Sequence, residues 1–187
     1  MFKSIAIEKR TSPLDEDARL VQAAQENSAD FKLIYQKWLK PVYRYFYFRV
    51  GNEKDAEDLT SQVFIKVYEG LPRYRNRGYF SAWLFAIARA RAVDFYRKKK
   101  RDIPLEEAVT LRAEGSITAR IIFNDDLRHV QALIQRLEPD EQELIRLRFV
   151  AELSYSEIGD LLSRKEDAVR KAISRILNRI QMEIGHD

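Results

Sequence analysis

Two histidines and no cysteine among 187 residues set narrow limits on the covalent chemistry this chain can do. His129 and His186 lie far apart, and neither has metal-ligand or catalytic-triad spacing. The absence of Cys excludes disulfide scaffolds, thiolate zinc sites and cysteine nucleophiles. A carboxylate cluster, Asp55, Glu57 and Asp58, has no histidine beside it. An enzyme acting on nucleic acid is therefore the weaker reading, and no catalytic residue, metal or cofactor is expected. What the chain does carry is cations in groups. Residues 73–101 hold ten basic side chains (Arg73, Arg75, Arg77, Arg89, Arg91, Arg97, Lys98, Lys99, Lys100, Arg101) and one acid, Asp94, a net of +9. Tyr74, Tyr79, Phe80 and Trp83 are interleaved with them, and an aromatic ring beside a guanidinium is what an unpaired base stacks on, at about 1–3 kcal/mol per base. Phe80 and Trp83 also have core spacing, and Trp83 is expected to be buried, whereas Tyr74 and Tyr79 fall in or next to a loop. A second group, 164–179, has six basic and two acidic residues, and between the two groups 138–160 has seven acids and two Arg. Charge is segregated, which the net charge of +4 conceals.

The elements that must position these groups read as helices. Six Gly and five Pro leave long stretches with apolar residues three and four apart. Phe31, Ile34, Tyr35, Trp38, Val42, Tyr45 and Phe46 form one helical face, with Ser28 as a cap. The aromatic run 43–50 also suits a strand after Pro41, but a helix kinked near Pro41 is preferred. A second helix begins near Asn52, with acids in its first turns and an inner face of Ala56, Leu59, Val63 and Val67. Gly70-Leu71-Pro72 ends it, and a loop to Gly78 leads to a third helix carrying Phe80, Trp83, Leu84 and Ile87. Of 21 aromatic residues, 17 lie between Phe31 and Tyr96, and 102–122 has none, so 102–122 reads as a linker. Helices are expected next at Leu127–Leu137 and from Glu138-Pro139 through Leu147. The S-x-x-E run Ser154-Tyr155-Ser156-Glu157 is a capping box opening a short helix, and Ser163-Arg164 turns into a last helix with Val169, Ile173, Ile176, Leu177 and Ile180 inward. Short helix, tight turn and second helix make a helix-turn-helix whose second helix enters the major groove. Projected on that helix, Arg170, Lys171, Ser174 and Arg175 lie opposite the apolar face.

No apolar stretch approaches the roughly 18–20 residues of a membrane span, and the start of the chain does not read as a secretory signal. A soluble, cytoplasmic, all-α protein with two small helical domains and no membrane insertion is expected. A pI near 9.2 leans toward a polyanionic partner.

Taken in order, these segments resemble the sigma-70 family of bacterial transcription initiation factors, in its small extracytoplasmic-function (ECF) subgroup, over about residues 15–183. Three motifs carry the resemblance: 55–59 with 63–68, 80–89 through 94–97, and 137–139 through 147–148 followed by 153–159. The resemblance implies a flexible start at 1–14, a region 2 domain at 15–101, the linker 102–122 threading toward the RNA exit path, and a region 4 domain at 123–187. It implies that Asp55, Glu57, Asp58 and Gln62 dock on the clamp coiled coil of core RNA polymerase, with the polymerase flap as a further contact. Tyr74, Arg75, Asn76, Arg77, Tyr79, Arg89, Arg91 and Arg97 would handle the minus-ten element as single-stranded DNA. Arg164, Lys165, Arg170, Lys171, Ser174 and Arg175 would read the minus-thirty-five duplex. Small members of the group are often held by an anti-sigma factor. Several positions depart from the family pattern. Ala90 stands where many members have the Asn of base capture, so Arg75, Asn76 and Tyr79 become the candidates. Ser61 replaces the usual Gln, with Gln62 adjacent, and Ser163, Asp167 and Ala168 replace the usual glycine, small residue and Thr. The alternative function is a helix-turn-helix regulator that binds DNA without joining the polymerase.

Overall fold

The computed structural model describes residues 13–75, 78–102 and 134–184. Asn76 and Arg77, the linker 102–122 after its first residue, the start of the chain through residue 12 and most of the helix expected at 127–137 lie outside these. Every regular element among the described residues is helical.

Helix α1 (Pro13–Glu26) lays Val21 and Ala24 against the core and carries a buried acid. Asp17 is 6% exposed and accepts from Trp38 Nε1 at 3.3 Å, with Lys37 Nζ at 2.9 Å. Burial raises its carboxyl pKa despite Lys37 and Trp38. The turn into α2 (Phe31–Val50) is capped by Asn27, whose Oδ1 accepts from the Ala29 amide at 3.1 Å. Ser28, expected as the cap, is instead the first residue of a 3₁₀ turn. The Asn carboxamide extends far enough to accept from the amide two residues on, as in an Asx turn. The aromatic run stays helical: α2 crosses Pro41 and continues to Val50, because Val42, Tyr45 and Phe46 are all fully buried on the face begun by Ile34 and Trp38. Tertiary burial outweighs the strand propensity of the run.

Gly51, at φ 70°, closes α2. Asn52 then accepts from the Asp55 amide at 2.9 Å and starts α3 (Glu53–Gly70), where Ala56, Leu59, Val63 and Val67 all point inward. A 3₁₀ turn, Leu71–Arg73, leads to the loop before α4 (Phe80–Asp102). Trp83 is half-buried rather than buried: its ring lies against Gly70, where an added Cβ would stand 3.1 Å away, and one side remains open to the loop.

In the C-terminal part, α5 (Pro139–Ile145) is opened by a capping box of Glu138 and Glu141. It passes into a π-turn at Arg146–Val150 where a plain α-helix through Leu147 was expected. The wider turn ends at Glu152, a non-glycine residue at φ 63°, and Leu153 N bonds back to Leu147 O at 3.0 Å, folding Leu147 and Leu153 together in the core. Helices α6 (Tyr155–Leu162) and α7 (Glu166–Ile184) follow. Val169, Ile173 and Ile176 are buried as expected, but Leu177 is 41% exposed, because it sits one position beyond Ile176 at the rim of the face. The two parts pack directly on each other, α6 on α4 and the π-turn on α2, and their buried side chains join in one cluster.

Candidate nucleic-acid interface

The loop between α3 and α4 is built around aromatic rings. Tyr74 stands perpendicular to Phe80 at 5.6 Å between centroids and 4.6 Å from Trp83, and Phe80 and Trp83 are themselves 5.6 Å apart. Gln25, from α1, fixes the loop backbone by donating to the carbonyls of Leu71 at 2.8 Å and Tyr74 at 2.9 Å. Tyr74, Arg75, Tyr79, Trp83 and Ala86 line a pocket of about 570 Å³. Its remaining wall includes Asp160 and Leu161 of α6. Burial raises the Tyr74 hydroxyl pKa, and nearby Asp17 and Asp160 add to this, so it stays a neutral donor.

Of the side chains expected to handle single-stranded DNA, Tyr74, Arg75 and Tyr79 meet at this pocket. Arg89, Arg91 and Arg97 lie further along α4 and are engaged with carboxylates. Arg97 Nη2 donates to Asp94 at 3.1 Å, with Arg91 4.0 Å from the same carboxylate, and Arg89 Nε donates to Glu143 at 3.0 Å. Ala90 is exposed. Of the eight, the structure gathers three at the pocket and pairs three with carboxylates, and Asn76 and Arg77 lie outside the described residues.

The helix-turn-helix is set by local chemistry. Ser154 N donates to Glu157 Oε2 at 2.7 Å while Glu157 N donates to Ser154 Oγ at 3.2 Å, which is the capping box in full. A Cβ on Gly159 would lie 2.7 Å from the Arg164 carbonyl oxygen, so only glycine allows the turn to close this tightly. Ser163 takes the left-handed conformation, φ 54°, and Arg164 N bonds to Gly159 O at 2.8 Å, ending α6 in the usual manner of a helix C-cap. Arg164, Lys165, Arg170, Lys171, Ser174 and Arg175 are all exposed. Arg170 is not free: it donates to Glu166 at 2.5 Å and lies 5.4 Å over the Tyr155 ring. Glu166, also bonded by Ser156 at 2.5 Å, has its carboxyl pKa lowered by Ser156 first and Arg170 next.

On α3, Asp55, Asp58 and Gln62 share a face at i, i+3 and i+7, with Glu57 beside them; Glu57, Asp58 and Gln62 are exposed and Asp55 is half-buried.

Comparison with known proteins follows the same division. The family model for sigma-70 region 2 matches residues 34–102, and that for sigma-70 region 4 matches 127–180. The chain belongs to the sigma-70 family. Among curated ECF RNA polymerase sigma factors, it is similar to BldN of Streptomyces coelicolor, 31% identical over 156 residues, covering 81% of this chain and 59% of BldN. It is also similar to SigW of Bacillus subtilis, 27% identical over 168 residues, covering 84% of this chain and 90% of SigW. It shares a fold with the sigma factor RpoE as solved in complex with the anti-sigma factor NepR from Bartonella quintana: TM-score 0.63, 21% identity, 84% of this chain and 98% of that one. These relatives place the sigma factor in the ECF subgroup. Region 2 thus holds the aromatic pocket and the acidic face of α3, and region 4 holds the helix-turn-helix.

Contacts that the sequence did not show stand where the two regions meet. Tyr45 donates to Glu143 Oε1 at 2.8 Å, Arg49 pairs with the same carboxylate, Ser81 Oγ donates to Glu157 Oε1 at 2.6 Å, and the Tyr79 amide donates to Asp160 at 3.1 Å. Burial lowers the Arg49 pKa but Tyr45 and Glu143 outweigh it and leave it raised. Burial, with Arg49 next, lowers that of Arg146. Glu143, Glu157 and Asp160 belong to the acidic stretch 138–160. Their sequence signal was that stretch's charge and, for Glu157, the capping box, and nothing local says which donor across the seam each would meet.

Proposed function

We propose that this sigma factor binds core RNA polymerase through Asp55, Glu57, Asp58 and Gln62 on α3, and directs promoter recognition and opening through its two basic surfaces. The support comes from both regions occurring on one chain, together with an aromatic pocket beside the cation-rich α4. In this reading residues 15–101 form region 2, 102–122 the connector and 123–187 region 4, and the chain works in the cytoplasm. No helix among the described residues is long and apolar enough to cross a membrane. The chain catalyses nothing itself. Arg75, Asn76 and Tyr79 capture an unpaired base, and Tyr74, Arg77, Arg89, Arg91 and Arg97 hold the non-template strand with them, so binding energy shifts the duplex-to-bubble equilibrium. Arg164, Lys165, Arg170, Lys171, Ser174 and Arg175 meet the upstream duplex, positioned by phosphates and specified by bases. The polymerase flap on region 4 and an anti-sigma factor are further partners.

Gel filtration with core polymerase should give a co-eluting complex, and a chain that elutes apart would leave only the helix-turn-helix regulator reading. Within the complex, Arg170→Ala should weaken upstream duplex binding by about 1–3 kcal/mol if it reads a guanine. If Arg170 meets phosphate, the loss is flatter across sequences and salt-dependent. Tyr79→Ala should slow strand opening while closed-complex affinity holds, and equal loss of both steps in both variants would contradict the division of labour.

A further inference from the structure

Arg170 is held from α6 as well as from its own helix. Glu166, one turn earlier on α7, accepts from Arg170 Nη2 at 2.5 Å, and the same carboxylate accepts from Ser156 Oγ at 2.5 Å. The Arg170 guanidinium also lies 5.4 Å over the ring of Tyr155, within the range of a cation–π contact. Tyr155 is fixed in its turn. It is the first residue of α6, directly after the capping Ser154, it is half-buried, and the Arg148 guanidinium stands 4.8 Å over its ring. Arg148 belongs to the π-turn, and its Nη1 donates to the Leu153 carbonyl at 2.9 Å. A line of contacts therefore runs from the π-turn through Arg148 and Tyr155 to Arg170, and Ser156 and Glu166 reach the same guanidinium from the start of each helix.

We propose that Tyr155 and Glu166 are positioning residues that make Arg170 a reader of guanine: they hold its guanidinium in place before DNA arrives and so set base specificity at one position of the upstream duplex. This rests on the duplex-reading role given to the helix-turn-helix above. Ordering a long side chain on binding costs conformational entropy, and a side chain already ordered avoids that cost. The carboxylate also decides what Arg170 can meet. A phosphodiester approaching Arg170 would face the negative charge of Glu166 beside it, and a guanidinium already paired with a carboxylate releases fewer counterions on meeting phosphate. The edge of guanine is neutral, and its O6 and N7 accept from two N–H groups of one guanidinium. Glu166 takes one hydrogen of Nη2, which leaves the other, with those of Nη1, in a fork of that pattern.

The test is base preference, read position by position. Holoenzyme reconstituted from the full chain and core polymerase is equilibrated with a pool of randomised duplexes long enough for both promoter elements, and the bound duplexes are sequenced. Arg170→Ala should lower the preference for guanine at one upstream position by about fivefold or more and leave the other positions as they are. Tyr155→Leu and Glu166→Gln, with helical content unchanged by circular dichroism, should lower it at that same position by about two- to fivefold. Tyr155→Phe keeps the ring face and should keep the wild-type preference. Glu166→Gln should also bind the non-preferred duplexes more tightly, with a salt slope steeper by about one, as Arg170 turns to phosphate. Glu166 is exposed, so its variant tests the proposal even where Tyr155→Leu fails to fold. A guanine preference unchanged in either folded variant would overturn the positioning role, as would an equal loss for every sequence in Arg170→Ala. A wild-type pool with no preferred base at any upstream position would instead remove the duplex-reading role itself, whereas a selective wild type with unchanged variants removes only the positioning.

Discussion

Gln25 lies outside the residues matched by the region 2 model, 34–102, yet it holds the loop between α3 and α4 in place. Its amide donates to two carbonyls, those of Leu71 and Tyr74, 46 and 49 residues away in sequence. Each such bond contributes about 1 kcal/mol at most in so exposed a setting, so Gln25→Ala should lower stability only slightly. The larger effect should fall on Tyr74, whose ring position depends on that backbone. We expect severalfold slower strand opening by holoenzyme carrying Gln25→Ala, followed with a fluorescent base in the minus-ten element, and unchanged affinity for core polymerase. Unaltered opening kinetics would show that the aromatic contacts of Tyr74 with Phe80 and Trp83 suffice alone. At this scale the sequence was only half legible. Tyr74 and Tyr79 were visible as aromatics between arginines, but a glutamine on an amphipathic helix carries no sign of the carbonyls it will meet.

The helix-turn-helix is the element whose geometry follows most directly from local residues. Ser154 and Glu157 announce the start of α6 three residues apart, and the structure makes both bonds of the box. The turn depends on two residues with opposite tolerances. Gly159→Ala would drive a Cβ to 2.7 Å from a backbone oxygen that cannot rotate away, which should cost about 1–3 kcal/mol and splay α6 from α7. Ser163→Gly, at a left-handed position, should stabilise by about 0.5–1 kcal/mol. Thermal melts of the two variants should therefore shift in opposite directions. Periodicity failed where it met a boundary: Leu177 continues the apolar stripe of α7 but passes the edge of what α5 and α6 cover. It failed again at the π-turn, because a one-residue widening of a helix leaves the apolar spacing almost unchanged.

For the whole molecule, the contacts between regions decide cooperativity. The buried side chains of both regions form one cluster, and the polar seam through Glu143 adds interactions that neither region makes alone. Calorimetry of the wild type should give one transition, and Glu143→Gln should resolve it into two, since the remaining contact loses its anion amid three guanidiniums. A single unchanged peak in the variant would mean that apolar packing alone couples the halves. Segregation of charge was legible from residue counts, and so were the all-helical class and the order of elements. The meeting of the acidic stretch with the basic one was not, because it depends on how two folded units face each other across a connector that pattern alone leaves unconstrained.

The placement of the two tryptophans gives the molecule a built-in pair of optical reporters. Trp38 is 7% exposed and bonded to Asp17, so its emission follows the integrity of region 2. Trp83 looks into the pocket between the loop and α6, where a stacked base would quench it and the departure of Asp160 and Leu161 would alter its polarity. Fluorescence from the unlabelled chain thus carries two signals at once, one for whether region 2 is folded and one for what occupies the pocket between the loop and α6.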